Sequence, residues 1–135
     1  MRLARVLGVL AAAVLALAIF YAVLAESGEV VVLETRDAGG VAHETRLWVV
    51  DHEGAAWLRT GDPTSPWLGR LRVTPEVAVT RNGERREYRA VVVEDPAPRA
   101  AINALVLEKY GWRESTLRAF GMGPAATTPI RLEPR

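Results

Sequence analysis

The sequence has no cysteine. Disulfides, thiolate metal sites and cysteine nucleophiles are therefore excluded. Histidine is nearly absent too: His43 reads as a strand start and His52 as part of a turn. A metal site built on them would need a further ligand at suitable spacing, and the chain announces none. Nucleophilic catalysis through histidine lacks an elbow motif and a serine partner. An excess of one charge is also missing. Seventeen Lys and Arg stand against sixteen Asp and Glu, and setting aside Arg2 and Arg5 at the N-terminus leaves 15 against 16. A domain so close to neutral carries no electrostatic footprint for nucleic acid. The 135 residues allow one domain, and no internal repeat divides them.

What the sequence does have is one long apolar run. Residues 6–25 (VLGVLAAAVLALAIFYAVLA) carry no charge. A helix of that length matches the thickness of a bilayer's hydrocarbon core. Arg2 and Arg5 precede it in a short basic N-terminus of residues 1–5, and Glu26 and Glu29 follow. The positive-inside rule then puts the N-terminus in the cytoplasm and the rest outside it. The rival is a cleaved signal peptide, with Val23 and Ala25 at the cleavage site, though the run exceeds a usual h-region. Either way residues 26–135 form the folded domain, joined to the run by only Glu26-Ser27-Gly28.

That domain reads as mainly β. Val30 to Thr35, His43 to Val50 and Ala55 to Arg59 are rich in β-branched or alternating apolar residues, with Gly-bearing turns between them, which predicts an antiparallel meander. Val77 to Arg81 and Glu87 to Glu94 flank Asn82-Gly83, the strongest hairpin signal present. Thr127 to Leu132, interrupted by Pro129, fits an edge strand. Pro66 to Val73 predicts a short helix with proline in its first turn. Asp95-Pro96 opens a longer one, whose apolar face is Ile102, Leu105, Val106 and Tyr110. Gly111 is its expected stop. Arg113 to Phe120 adds a second helical stretch, and Gly121 to Ala126 is expected as loop. Six short antiparallel strands would leave open edges in a flat sheet, and closure into a small barrel removes them.

The chemistry gathers in Trp57 to Val77. Arg59, Arg70 and Arg72 fall there beside Trp57 and Trp67, around the loop Gly61-Asp62-Pro63-Thr64-Ser65. Guanidinium groups bind phosphate through paired hydrogen bonds, helix N-termini favour anions, and an indole stacks on a flat ring. The plainer reading is a connecting turn whose arginines pair with Asp62, Glu76 and Glu84. Trp48 and Trp57 alternate in phase with apolar neighbours, so packing is their default role. Asp51 and Glu53, beside a turn glycine, read as solvated charges.

The order of these pieces resembles a family. His43-Glu44-Thr45-Arg46-Leu47-Trp48, then Trp57-Leu58-Arg59-Thr60-Gly61, then Trp67-Leu68-Gly69-Arg70-Leu71-Arg72-Val73-Thr74-Pro75-Glu76-Val77, then Arg89-Ala90 and Pro129-Ile130-Arg131-Leu132 are similar to the split β-barrel flavin- and deazaflavin-binding reductases. That group includes the deazaflavin-dependent nitroreductase-like and pyridoxamine-phosphate-oxidase-like proteins. The resemblance covers Val30 to Leu132. It implies a six-stranded antiparallel split β-barrel with one main helix and short helices, and a cofactor, FMN or a deazaflavin coenzyme. By position it implies Thr45, Arg46, Trp48, Arg59, Thr60, Gly61, Trp67, Arg70 and Arg72 as cofactor-binding residues, with no metal. It also implies a site that a homodimer could complete. Arg46 stands where the family has proline and Arg70 where it has asparagine, and Asp62 would repel a phosphate.

The function so implied is a membrane-anchored, nitroreductase- or quinone-reductase-like oxidoreductase in which the bound ring carries the hydride. The alternative is a non-catalytic, membrane-anchored ligand-binding or interaction module on the same barrel.

Overall fold

The computed structural model describes residues 1–26, 28–119 and 127–135. The chain begins with a helix, α1 (Arg2–Glu26), followed by strands β1 (Val30–Arg36), β2 (Ala42–Trp48), β3 (Val50–His52) and β4 (Ala55–Thr60). Then come α2 (Pro66–Val73), β5 (Glu76–Arg81), β6 (Glu84–Val92), α3 (Pro96–Tyr110), α4 (Trp112–Ala119) and β7 (Thr128–Pro134). The expected loop at residues 121–126 lies outside the described residues.

All seven strands belong to one antiparallel sheet of order β2-β1-β5-β6-β7-β4-β3. The two outermost strands are successive in the chain, with only Val49 between them. One stretch of backbone thus pairs with β1 up to Trp48 and with β4 from Val50 onward. The sheet must curl for one segment to serve both edges, and the result is a half-barrel. Sequence periodicity makes His43 to Val50 a single strand; the structure breaks it at Val49, which raises the strand count from six to seven.

The break is filled from α3. The Val49 N–H donates to the Tyr110 hydroxyl at 3.0 Å, and the Lys109 ammonium donates to the Val49 carbonyl at 2.6 Å. The Tyr110 hydroxyl in turn donates to the Glu29 carbonyl at 2.7 Å. A buried peptide that leaves both ladders must find other partners, since an unpaired one costs as much as a lost hydrogen bond.

Two cores follow from the alternation of side chains. Val31 and Leu33 of β1, Leu58 of β4, Val77 and Val79 of β5, and Ile130 and Leu132 of β7 point into the half-barrel. Trp67, Leu68 and Leu71 of α2 fill it from one side. The opposite face of β3, β4 and β6 carries Val50, Trp57 and Val91, against which α3 lays Ile102, Val106 and Tyr110. This apolar stripe of α3 matches the sequence reading.

The turns are formed as their residues dictate. Asn82 and Gly83 both have positive φ, at 52° and 77°, as a two-residue hairpin loop of the primed type requires. Glu53 and Gly54 repeat the pattern at 51° and 77°. Asp95 is extended ahead of Pro96, and Gly111, at φ 55°, ends α3 with its N–H on the Leu107 carbonyl. One expectation fails: β7 is not an edge strand. It lies between β6 and β4. Pro129 is tolerated because its carbonyl accepts the Val93 N–H just beyond the end of β6. Its nitrogen points the same way and can give no return bond, and β6 ends one residue earlier, at Val92.

The first helix stands apart from both cores. Its segment Arg2–Val23 has a mean hydropathy of 2.7, is long and apolar enough to cross a membrane, and buries none of its surface in the domain. A signal sequence would satisfy the same test.

Candidate functional site

The segment from β4 to α2 is a tightly bonded turn. The Thr60 hydroxyl, buried at the end of β4, donates to the Asp62 carbonyl at 2.7 Å and accepts the Asp62 N–H at 3.0 Å. Ser65 Oγ lies 2.8 Å from it and also reaches the Asp62 carbonyl. The Asp62 carboxylate turns onto Thr64, accepting from its N–H at 2.8 Å and its hydroxyl at 2.6 Å. Those two bonds, the hydroxyl's first, hold the Asp62 carboxyl below its ordinary range. Gly61 sits at the bend, and the Ser65 carbonyl starts α2 by accepting the Leu68 and Gly69 N–H groups.

The residues singled out by sequence separate into three environments. Several are packed inside. Trp67 is only 6% exposed and belongs to the half-barrel core. Thr45 lies opposite Leu33 and so faces inward, whereas Arg46, opposite Val32, faces outward. Adjacent strand residues point to opposite faces, so Thr45 and Arg46 do not share a site within one copy. The Trp48 ring stacks on Tyr110 at 4.2 Å and 7°, on the face that α3 covers.

Two arginines are committed to internal partners. Arg59 Nη1 and Nη2 each donate to one oxygen of Glu114 at 2.8 Å. Nη1 also reaches Asn103 Oδ1 at 3.0 Å. The side chains of this pair are 6% and 0% exposed. Such a two-point, desolvated pair is not available to exchange its carboxylate for a ligand's phosphate. Arg70 Nε donates at 2.8 Å to Oγ1 of Thr35, which is wholly buried.

Arg72 differs. It meets Glu94 at 2.8 Å, but the two side chains are 46% and 66% exposed. An ion pair in that setting is worth little and exchanges readily. The Arg72 partner also holds the Glu94 carboxyl below its ordinary range. Arg72 lines an open depression of about 490 Å³ with Leu71, Pro75, Arg89 and Ala90. This depression meets a second, of about 650 Å³, at Val91 and Val92. The second runs to the start of α3 and is lined by His52, Trp57 and Arg131 among others. The Arg131 guanidinium lies 5.8 Å from the Trp57 ring centroid. Three arginines thus border two depressions that share Val91 and Val92 in their walls, with the largely buried Trp57 behind the second. Arg89 and Arg131 fall within family-like segments, but only the fold shows that they share a surface with Arg72.

A second ionic cluster sits where the chain leaves α1. Arg81 clamps Glu29 at 3.0 and 3.1 Å and Asp51 at 2.8 and 2.9 Å. Lys109 Nζ reaches Glu29 at 2.6 Å. Arg81 and then Lys109 push the Glu29 carboxyl down, and Arg81 does the same to Asp51. The paired carboxylates raise Arg81 in turn. Burial is the main cause that pushes the Tyr110 phenol up to about 12, so it stays a neutral donor. Asp51 is therefore an ion-pair partner and not a merely solvated turn residue. His43 Nε2 lies 2.9 Å from Asp37 Oδ2 within its hairpin. Among the described residues no group of three His, Asp or Glu side chains is placed to hold a metal.

No family model and no curated protein matches the sequence. Solved structures do. The heme storage protein HutZ of Vibrio cholerae is 17% identical, covers 83% of this chain and 85% of its own, and superposes with a TM-score of 0.63. A Listeria innocua protein provisionally assigned as a pyridoxamine 5′-phosphate oxidase is 17% identical over 84% of this chain and 89% of its own, at 0.59. A NimC/NimA family protein of Clostridium acetobutylicum is 16% identical over 81% and 76%, at 0.58. At such identities the likeness carries the fold: this chain has the split-barrel architecture of these proteins.

Proposed function

We propose that this protein is a membrane-tethered split barrel that binds a flavin-type cofactor, FMN or a deazaflavin coenzyme, and acts as an oxidoreductase through it. The observation that carries the reading is the pair of depressions, sharing Val91 and Val92, that Arg72, Arg89 and Arg131 border. Its arginines sit in solvated pairs that a phosphate or carboxylate can displace, and the half-buried Val91 and Val92 offer apolar surface to a ring. The ring would supply the hydride chemistry. The chain's own contribution is to fix the anionic tail, shield one face of the ring and orient it. A second copy would add the wall that an open groove lacks, consistent with the expected homodimer. Residues 6–25 are the proposed single-pass anchor, residues 26–135 the domain, and the flanking charges favour a domain outside the cytoplasm.

The test is titration of the full chain in detergent with FMN, with the deazaflavin coenzyme and with heme, following ring fluorescence or absorbance. Saturable micromolar binding of a flavin-type ring, weakened at least tenfold by Arg72→Ala or Arg131→Ala, is the expected result. Heme is included because one structural neighbour is named for its storage.

A second reading, the non-catalytic interaction module, draws support from Arg59 and Trp67. Both belong to the family-like segment, and both are consumed by internal packing. Absence of binding by any of the three compounds to a folded dimer would leave this reading in place.

A further inference from the structure

We infer that Trp112, with Arg113 beside it, is a second membrane contact, seated in the interfacial layer of the same bilayer that α1 enters. The inference rests on α1 being retained as an anchor. Trp112 is 60% exposed, the most exposed tryptophan in a chain whose other indoles are buried or stacked. It opens α4, and α4 touches the end of α1.

The chain is held from Gly28 onward. Gly28, at φ +80°, lies so close to Tyr110 that a Cβ there would come within 3.1 Å of the ring. Glu29 is bonded through its carbonyl to the Tyr110 hydroxyl and through its carboxylate to Lys109. The point where the chain leaves the helix is therefore pinned to the C-terminal end of α3, and Trp112 follows two residues later. The inner side of α4 is fixed by Glu114, which is buried against Arg59. With Glu114 held inside, Trp112 lies on the exposed side of α4.

The side chains there match that layer chemically. Tryptophan prefers the headgroup boundary, where its ring is apolar and its N–H stays wet. The Arg113 guanidinium lies 5.1 Å from the Trp112 ring centroid, which keeps a cation beside the indole at lipid-phosphate depth. A two-point attachment of this kind fixes the tilt of the domain, which a single tether would leave free.

The experiment uses the full chain reconstituted in phosphatidylcholine nanodiscs, with and without lipids brominated near the headgroup end of their acyl chains. The emission of Trp112 is isolated by subtracting the spectrum of Trp112→Phe from that of the wild type. An intact-mass measurement on the same sample reports whether residues 1–25 are present. The expected result is a blue-shifted Trp112 component that loses most of its intensity in the brominated discs, from a chain of full mass. A red-shifted component untouched by bromine overturns the inference, because the indole is then in water. A blue-shifted component untouched by bromine also overturns it, because protein, such as a second copy, then covers Trp112. A chain lacking its first residues overturns it together with the anchor. None of these outcomes depends on cofactor binding, so the groove reading is tested separately.

Discussion

Replacing Glu114 by glutamine tests how firmly Arg59 is held. The carboxylate takes two 2.8 Å hydrogen bonds from Arg59 and is wholly buried. Glutamine keeps the volume but offers one acceptor and no charge, so the buried Arg59 guanidinium loses its carboxylate partner. Removing one member of a buried pair costs about 3–5 kcal/mol, because the other charge is left uncompensated. A domain of this size has roughly 5–15 kcal/mol in total. With a urea dependence of about 1.5 kcal/mol per molar, the unfolding midpoint should fall by about 2 M or more. Tryptophan emission of the full chain in mild detergent, followed through a urea titration, reads this directly. Arg59→Met combined with Glu114→Leu removes both charges and should recover much of the loss, since a buried pair replaced by apolar volume is often neutral. A Glu114→Gln midpoint within about 0.5 M of wild type would refute the reasoning. The Arg59–Glu114 pair would then contribute little to stability, and Arg59 would return to the candidates for a ligand.

Tyr110→Phe keeps the ring stack on Trp48 but strands the Val49 N–H. A loss of about 1–3 kcal/mol is expected in the same urea titration. Gly28→Ala places a side chain at positive φ and against the Tyr110 ring, and should cost at least about 1–2 kcal/mol from the backbone alone. Stability should also fall in acid. Glu29 and Asp51 have carboxyls lowered from ordinary values of 4.5 and 3.8, chiefly by Arg81. Their contribution is therefore complete above those values and is lost as pH falls through the lowered folded ones. Arg81→Met should flatten this acid limb; an unchanged limb in a pH series of thermal midpoints would show that other groups govern it.

The fold was legible because its signals are local. Asn82-Gly83, the Pro66 and Pro96 helix starts and the alternation along β1 are set by neighbouring residues, and the structure repeats them, while β6 runs Glu84–Val92 where the sequence predicts Glu87 to Glu94. The break at Val49 was not legible. Nothing in Trp48-Val49-Val50 interrupts a strand; the interruption comes from Tyr110 and Lys109, some sixty residues away. Pro129 suggested an edge because it lacks an N–H, yet its strand is internal, and the direction of that missing donor depends on where β6 ends. The site was less legible for the same reason. Sequence placed Arg59, Arg70 and Arg72 together as equivalent cations. Glu114, Thr35 and Glu94 make them unlike one another, and each partner lies more than twenty residues away.

That difference among three nearby arginines also narrows where a ligand can bind. An arginine is useful to an incoming anion only if releasing its present partner costs little. Arg59 would have to abandon a buried carboxylate, whereas Arg70 bonds a buried neutral hydroxyl through Nε. Arg72 has only to release a solvated one, as does Arg131, whose pair with Glu133 at 2.8 Å is 39% and 46% exposed. Arg72 and Arg131 line the two depressions that share Val91 and Val92, and Arg59 and Arg70 line neither. The segment that looks most like a cofactor clamp therefore contributes chiefly to holding α4 and the half-barrel in place. On the proposed reading, binding falls to the rim formed by α2, β6 and the start of α3. The same argument sets an order for substitutions. Arg72→Ala and Arg131→Ala should lower affinity with little effect on the urea midpoint, whereas Arg59→Ala should lower the midpoint first. Loss of affinity in Arg59→Ala without a change in midpoint would reverse that assignment.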